Sequence, residues 1–203
     1  MTLAAFASVV AIHLLAVISP GPAFVVAVRT AATEGFGTAT ALAFGYGLGA
    51  VMWAFAALAG LAILFELVPG IFAGMKIMGG LFLLWIGLQI WRHAPAPLMQ
   101  ETGAPPRSRA SAFRLGLLTF ATNPKAAVFF GAVFVGLVPP GTPLPWLALI
   151  MAAFFANETL WFIIVARVFS MPKARAGYAR VKTTVDRVFA GLITAFGVKI
   201  ALG

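Results

Sequence analysis

Cysteine is missing from the 203 residues, so disulfides and thiolate metal sites are excluded and the redox compartment is left undetermined. Charge is nearly missing too. Only 9% of the residues carry one, against about a quarter in a soluble domain. Acid is scarcest, with five Asp and Glu in the whole chain. A chain so poor in polar residues cannot clothe a water-facing surface. That excludes a soluble enzyme, a disordered tail and a nucleic-acid binder, despite a formal net charge of +9. What is present is apolar: 62% of the residues are hydrophobic, and the mean hydropathy is +1.04. This is the composition of an integral membrane protein.

A bilayer core about 30 Å thick takes roughly 20 apolar residues per helix. Six runs meet that length, approximately Leu3–Val28, Gly37–Leu64, Gly70–Trp91, Phe113–Val138, Trp146–Val168 and Val185–Leu202. A transmembrane β-barrel would alternate apolar and polar residues in segments of about ten. Runs such as Leu81-Phe82-Leu83-Leu84-Trp85-Ile86 do not alternate. The expected fold class is therefore an all-α integral membrane protein with six transmembrane helices. The first run has no basic residue before Arg29, unlike a secretory signal, and reads as a retained helix. The one substantial polar stretch, Arg92–Arg114, contains Pro95, Pro97, Pro105 and Pro106 and suits a flexible linker. The expected organisation is a single transmembrane domain over 1–203. It divides into a first repeat at about 1–92, a cytoplasmic linker at about 93–112 and a second repeat at about 113–203.

Threading six helices through a bilayer sorts the basic residues. The connections after the first, third and fifth helices hold Arg29, then Arg92, Arg107, Arg109 and Arg114, then Arg167, Lys173, Arg175, Arg180, Lys182 and Arg187. The opposite face has only Lys76 and Lys199, each near a helix end. The positive-inside rule then puts the three basic loops in the cytoplasm and both termini outside. Binding of anionic lipid by Lys173–Arg187 is compatible with the same pattern.

A two-fold pattern runs through the chain. Ser19-Pro20-Gly21-Pro22 interrupts the first helix and Asn123-Pro124-Lys125 the fourth. A proline inside a helix removes a backbone hydrogen bond, and in lipid the freed carbonyls must find protein, water or substrate. The third and sixth helices end alike, as Gly87-Leu88-Gln89-Ile90 and Gly197-Val198-Lys199-Ile200. Three helices per unit is an odd number, so the second unit enters from the opposite side. That is an inverted repeat, a plan of many secondary transporters, with substrate held near the midplane at broken helices. The second helix also carries Gly37, Ala41, Gly45 and Gly49 at four-residue spacing, which favours close helix packing over substrate contact. Gly47 lies off that stripe and is assigned no role.

Most polar residues inside the spans have ordinary explanations. Lys76 and Lys199 can snorkel to the outer interface. His13 stands alone on an apolar stretch and reads as a packed, neutral side chain. The tryptophans Trp53, Trp85, Trp91, Trp146 and Trp161 suit an aromatic belt. Two sites resist this treatment. Glu158, beside Asn157, is about halfway along the fifth helix, where a charged acid must be paired, hydrated or protonated. Lys125 follows the proline break of the fourth helix. The two either neutralise each other as a structural pair or face a water-filled cavity and engage substrate or protons.

These motifs resemble the LysE/RhtB amino-acid exporters. The resemblance is carried by Ser-Pro-Gly-Pro in the first helix, the glycine-rich second helix, and Lys76-Ile77-Met78-Gly79-Gly80 through Trp85-Ile86-Gly87. It continues through Asn123-Pro124-Lys125-Ala126 with Phe129-Phe130, and Asp186-Arg187…Gly191…Gly197-Val198-Lys199. It implies proton-driven export of amino acids or close derivatives across a prokaryotic cytoplasmic membrane. It places the substrate region at Ser19–Pro22 and Asn123–Lys125. Family members often have a histidine or small polar residue near the end of the glycine-rich stretch, where this chain has Met52-Trp53.

The expected mechanism follows. Carbonyls freed before Pro20 and Pro124 accept from the substrate ammonium. Half-helix N-termini and Lys125 favour its carboxylate. Asn157 is a polar liner and Glu158 the proton-coupling group. The substrate-binding candidates are thus Ser19, Pro20, Gly21, Pro22, Asn123, Pro124, Lys125 and Asn157. No cofactor or metal is expected, and the partners are an amino acid, protons and membrane lipid. An enzyme is disfavoured because no nucleophile–base pair or HExxH motif is present. Export of a metal cation or another small solute on the same fold is the alternative, although one deep carboxylate is a poor ligand set.

Overall fold

The computed structural model describes residues 1–19, 21–58, 77, 81, 84–85, 87–89, 91–92, 94–95, 106–134, 138–139 and 141–202. Among these residues the regular structure is entirely helical. Helix α1, Leu3–Ile18, begins where the Thr2 side chain accepts from the Ala5 amide at 3.2 Å. It stops at Ser19, whose backbone is extended. Helix α2, Pro22–Glu34, starts from Gly21 with a proline in its first turn, where the missing N–H costs nothing. The two are bent by 60° and together are long and apolar enough for one broken span. Gly35 then takes φ 85°, a left-handed conformation open to glycine, and α3, Phe36–Ala56, follows at once.

The second half repeats the device. Helix α4, Arg109–Ala121, is capped by Ser108, whose hydroxyl accepts from the Ser111 amide. It ends at Thr122. Helix α5, Pro124–Val128, restarts from Asn123, again with a proline in the first turn. A π-helical segment, Phe129–Phe134, continues it. Helix α6 runs Leu144–Phe169 and α7 runs Pro172–Leu202. Helices α3 and α6, of 21 and 26 residues, are each long and apolar enough to cross a membrane alone.

Two expectations about boundaries change. The basic stretch after α6 is not a loop: α7 is continuous over 31 residues, about 46 Å at 1.5 Å per residue. That exceeds a hydrocarbon core of about 30 Å. Alanine, arginine and lysine are strong helix formers, and Lys182 pairs with Asp186 one turn on at 2.6 Å. Similarly, Arg109–Arg114 belongs to α4 rather than to the linker, because Ser108 caps a helix there. Most of the expected third span, Gly70–Trp91, lies outside the described residues, as do Lys76 and Glu101.

Helix α3 is the centre of the packing. A Cβ on Gly45 would collide with the Phe113 carbonyl and the Leu117 amide of α4, and one on Gly116 with the Leu42 carbonyl of α3. Two backbones therefore cross in direct contact, which only small residues allow. Gly49 lies against Phe120 of α4, while Gly47, on the other side, faces Thr159 and Phe155 of α6. The stripe at Gly37, Gly45 and Gly49 thus serves helix packing within the chain. Tyr46, fully buried beside it, donates its hydroxyl to the Ala23 carbonyl at 2.9 Å. That bond ties α3 to α2.

Candidate functional site

The two breaks meet. At the end of α1, the Ala16 and Ser19 carbonyls accept from side chains. Lys125, the second residue of α5, reaches across to them: Nζ donates to Ala16 O and Ser19 O at 2.6 Å each, and to Ser19 Oγ at 3.0 Å. The Ser19 hydroxyl gives its own proton to Ala16 O at 2.8 Å, so its lone pairs are free to accept. All three ammonium protons find oxygen. An ammonium taken into an apolar interior requires such compensation.

The neighbours of Lys125 hold it there. Asn123 is buried at 3% exposure and its Oδ1 accepts from the Lys125 amide at 3.0 Å, the geometry of an N-cap. Gly21 lies beside the Lys125 stem, with room for a Cβ only in van der Waals contact at 3.6 Å. Pro22 and Pro124 each occupy the first turn of the helix that follows a break. By position, Pro22 is therefore the counterpart of Pro124. Pro20 lies outside the described residues.

The deep acid arrives from α6. Its core-facing stripe is Ile150, Phe154, Glu158 and Phe162, one residue per helical turn. Helix α1 presents Val9, His13 and Val17 in the same spacing. His13 stacks on Phe154, with ring centroids 3.9 Å apart and planes 17° apart. Its Nε2 stands 3.8 Å from Glu158 Oε1, both side chains buried. Asn157 Nδ2 contacts Val10 O at 3.2 Å and His13 Nδ1 at 3.3 Å. Glu158 Oε2 has no hydrogen-bond partner among the described residues.

Lys125 and Glu158 do not form an ion pair among the described residues; the partner of Glu158 there is His13. The two charges instead share a cavity of about 20 Å³, room for a water molecule but not for an amino acid. Its polar lining is His13, Asn123, Lys125 and Glu158. Phe120, Phe129 and Phe130 close much of the rest. Trp53 lies parallel to Phe130, with centroids 6.5 Å apart.

The arrangement is thus a cation from one broken helix seated on the carbonyls of another, beside a buried acid. The family model for the LysE type translocator matches residues 14–203. The chain belongs to the LysE type translocator family. It is a transporter rather than an enzyme. The threonine efflux protein of Escherichia coli strain K12 is 33% identical to this translocator over 202 residues, covering 97% of each chain. The threonine efflux protein of Salmonella typhi is also 33% identical, over 203 residues and 97% of each chain. The homoserine/homoserine lactone efflux protein of Salmonella typhi is 31% identical over 126 residues, 62% of this chain and 61% of that protein. No solved structure matches.

Of the residues singled out from the translocator's sequence, Ser19, Gly21, Asn123 and Lys125 come together at the crossing of the breaks. Glu158 joins them across the cavity, while Asn157 turns to α1. His13 is the residue that sequence reasoning passed over. A signal for it was present. It is the eleventh residue of α1, and Glu158 is the fifteenth of α6. Helices one and five enter from the same face in the expected topology, so the two side chains share a depth.

Proposed function

We propose that this translocator exports a small amino acid of the threonine and homoserine type across the cytoplasmic membrane, by proton-coupled alternating access. The observation that carries the reading is the bond set of Lys125: a cation seated on the open carbonyls of Ala16 and Ser19. A zwitterion can insert into that pair. Its ammonium replaces Nζ at the carbonyls, and Lys125, released, meets its carboxylate. A substrate with only one of the two charges leaves either the carbonyls or Lys125 unpaired in a low-dielectric site, which is costly. Asn123 and Ser19 supply further polar contacts.

Glu158 is the proton-coupling group, with Oε2 as the atom that takes the proton. The chain is a single multi-pass domain of six spans with both termini outside. Its repeats are about 1–92 and 109–203, joined by a linker at about 93–108 that ends at the Ser108 cap. Support for the repeat comes from the two breaks, each with a cap residue followed by a proline in the first turn. In the conformation described, Lys125 latches one repeat to the other. Binding exchanges that latch for substrate and frees the halves to rock.

Counterflow in proteoliposomes tests this. Labelled threonine should exchange with internal threonine or homoserine. It should not exchange with 1-amino-2-propanol, which lacks the carboxylate, nor with lactate, which lacks the ammonium. Equal exchange with the amine would overturn the zwitterion site.

A further inference from the structure

The proton-coupling reading leaves His13 without a task, yet its surroundings are too specific for a filler side chain. Asn157 determines its protonation pattern. The amide of Asn157 meets Val10 O at 3.2 Å. A carbonyl accepts only, so the atom facing it must be the nitrogen of Asn157 and not the oxygen. The same nitrogen faces His13 Nδ1 at 3.3 Å and has a second proton to give. Nδ1 is therefore the acceptor, and the ring proton resides on Nε2. That N–H points to the side on which Glu158 Oε1 stands 3.8 Å away.

Two other donors are committed elsewhere. Lys125, from α5, spends its protons on Ala16 and Ser19 of α1. Tyr46, from α3, gives its hydroxyl proton to Ala23 O. Among the described residues that line the cavity with Glu158, the Asn123 amide and His13 are the donors not spent in this way, and His13 Nε2, from α1, is the one that stands 3.8 Å from Oε1. The gap of 3.8 Å is longer than a hydrogen bond. Contacts of this kind often tighten only in the loaded state, and both side chains border the same small cavity.

We infer that His13 is a positioning residue for proton coupling: held as the Nε2–H tautomer by Asn157, it occupies Glu158 Oε1 and leaves Oε2 as the atom that binds and releases the proton. His13 itself stays neutral and carries no proton across, since protonating Nδ1 would set two donors, Asn157 Nδ2 and the new N–H, against each other. The stack on Phe154 keeps the ring from turning. The inference rests on Glu158 being the coupling group.

The test compares export driven by an imposed pH gradient with counterflow at equal pH, in the same proteoliposomes. His13→Phe keeps an aromatic ring for the Phe154 stack and removes the donor. Its gradient-driven export should fall at least tenfold more than its counterflow, with a displaced pH profile. His13→Gln, whose amide can donate to Oε1, should recover part of the loss. Asn157→Leu should shift the pH profile in the same direction as His13→Phe, because the tautomer is no longer held. Adding His13→Phe to Glu158→Gln should cost nothing further. Equal loss of both activities in His13→Phe and Asn157→Leu would make the pair merely structural and overturn the inference. If Glu158→Gln abolishes gradient-driven export while His13→Phe retains it, His13 alone is wrongly assigned. If Glu158→Gln retains it, the coupling role of Glu158 falls first.

Discussion

Lys125 Nζ lies 2.6 Å from the carbonyl of Ser19, so the second broken helix is bound to the end of the first by a charge-assisted bond. One break contributes the acceptors and the other the cation. The two proline interruptions are thus complementary rather than merely similar.

Lys125→Met removes the latch and the carboxylate partner together. Charge-assisted hydrogen bonds contribute about 1.5–3 kcal/mol each, so threonine binding should weaken about 10- to 100-fold. Binding of 1-amino-2-propanol should improve, because the carbonyls of Ala16 and Ser19 are then open to it. Ser19→Ala should weaken threonine binding about tenfold or less. Binding measurements on the purified variants in detergent decide between this and a purely structural Lys125, which would leave the ratio of the two ligands unchanged.

Asn123→Ala deletes the side-chain oxygen that accepts from the Lys125 amide. Loss of such a cap costs about 0.5–2 kcal/mol. Asn123→Asp and Asn123→Ser should retain most of the stability in thermal unfolding, whereas a smooth loss with side-chain size would argue against the cap.

The crossing of α3 and α4 has no slack. Gly45→Ala sets a methyl against the backbone of Phe113 and Leu117, and overpacking of that kind costs about 1–3 kcal/mol. Gly177→Ala, on the N-terminal half of α7 with nothing within 4 Å, should be neutral or stabilising by about 0.5–1 kcal/mol through helix propensity. The contrast is measurable as opposite shifts in Tm in one detergent.

Glu34, the last residue of α2, accepts from the Arg107 Nε at 2.8 Å and from the Arg107 amide at 2.9 Å. The Arg107 side chain is 38% exposed, so solvent screens the pair. Glu34→Gln should cost no more than about 1 kcal/mol, and the loss should shrink as salt rises. A salt-independent loss would mean that the amide bond, not the charge, holds α2 to the start of α4.

Several features were legible in the chain because they depend on local chemistry. Proline without an N–H had to interrupt a helix near Ser19 and again at Asn123. The four-residue spacing of Gly37, Gly45 and Gly49 had to make a small-residue face. The extent of α7 was less legible: a run of arginine and lysine reads as a polar connection, but the same residues form helix readily, so charge alone does not separate a loop from a helix.

The sequence by itself therefore determined the membrane environment, the helical class, the two breaks and the depth of Glu158. Each follows from composition or from the geometry of consecutive residues. Tertiary structure decided the partners. Lys125 could have met Glu158, and the carbonyls at the end of α1 took it instead, because three oxygens there satisfy all of its protons. His13 is the packed ring that its apolar stretch implied, and the parallel approach of α1 and α6 decided that it also meets Asn157 and Glu158. A helix face can be read from spacing, but which face meets it depends on how the helices cross. No local pattern in a single chain encodes that.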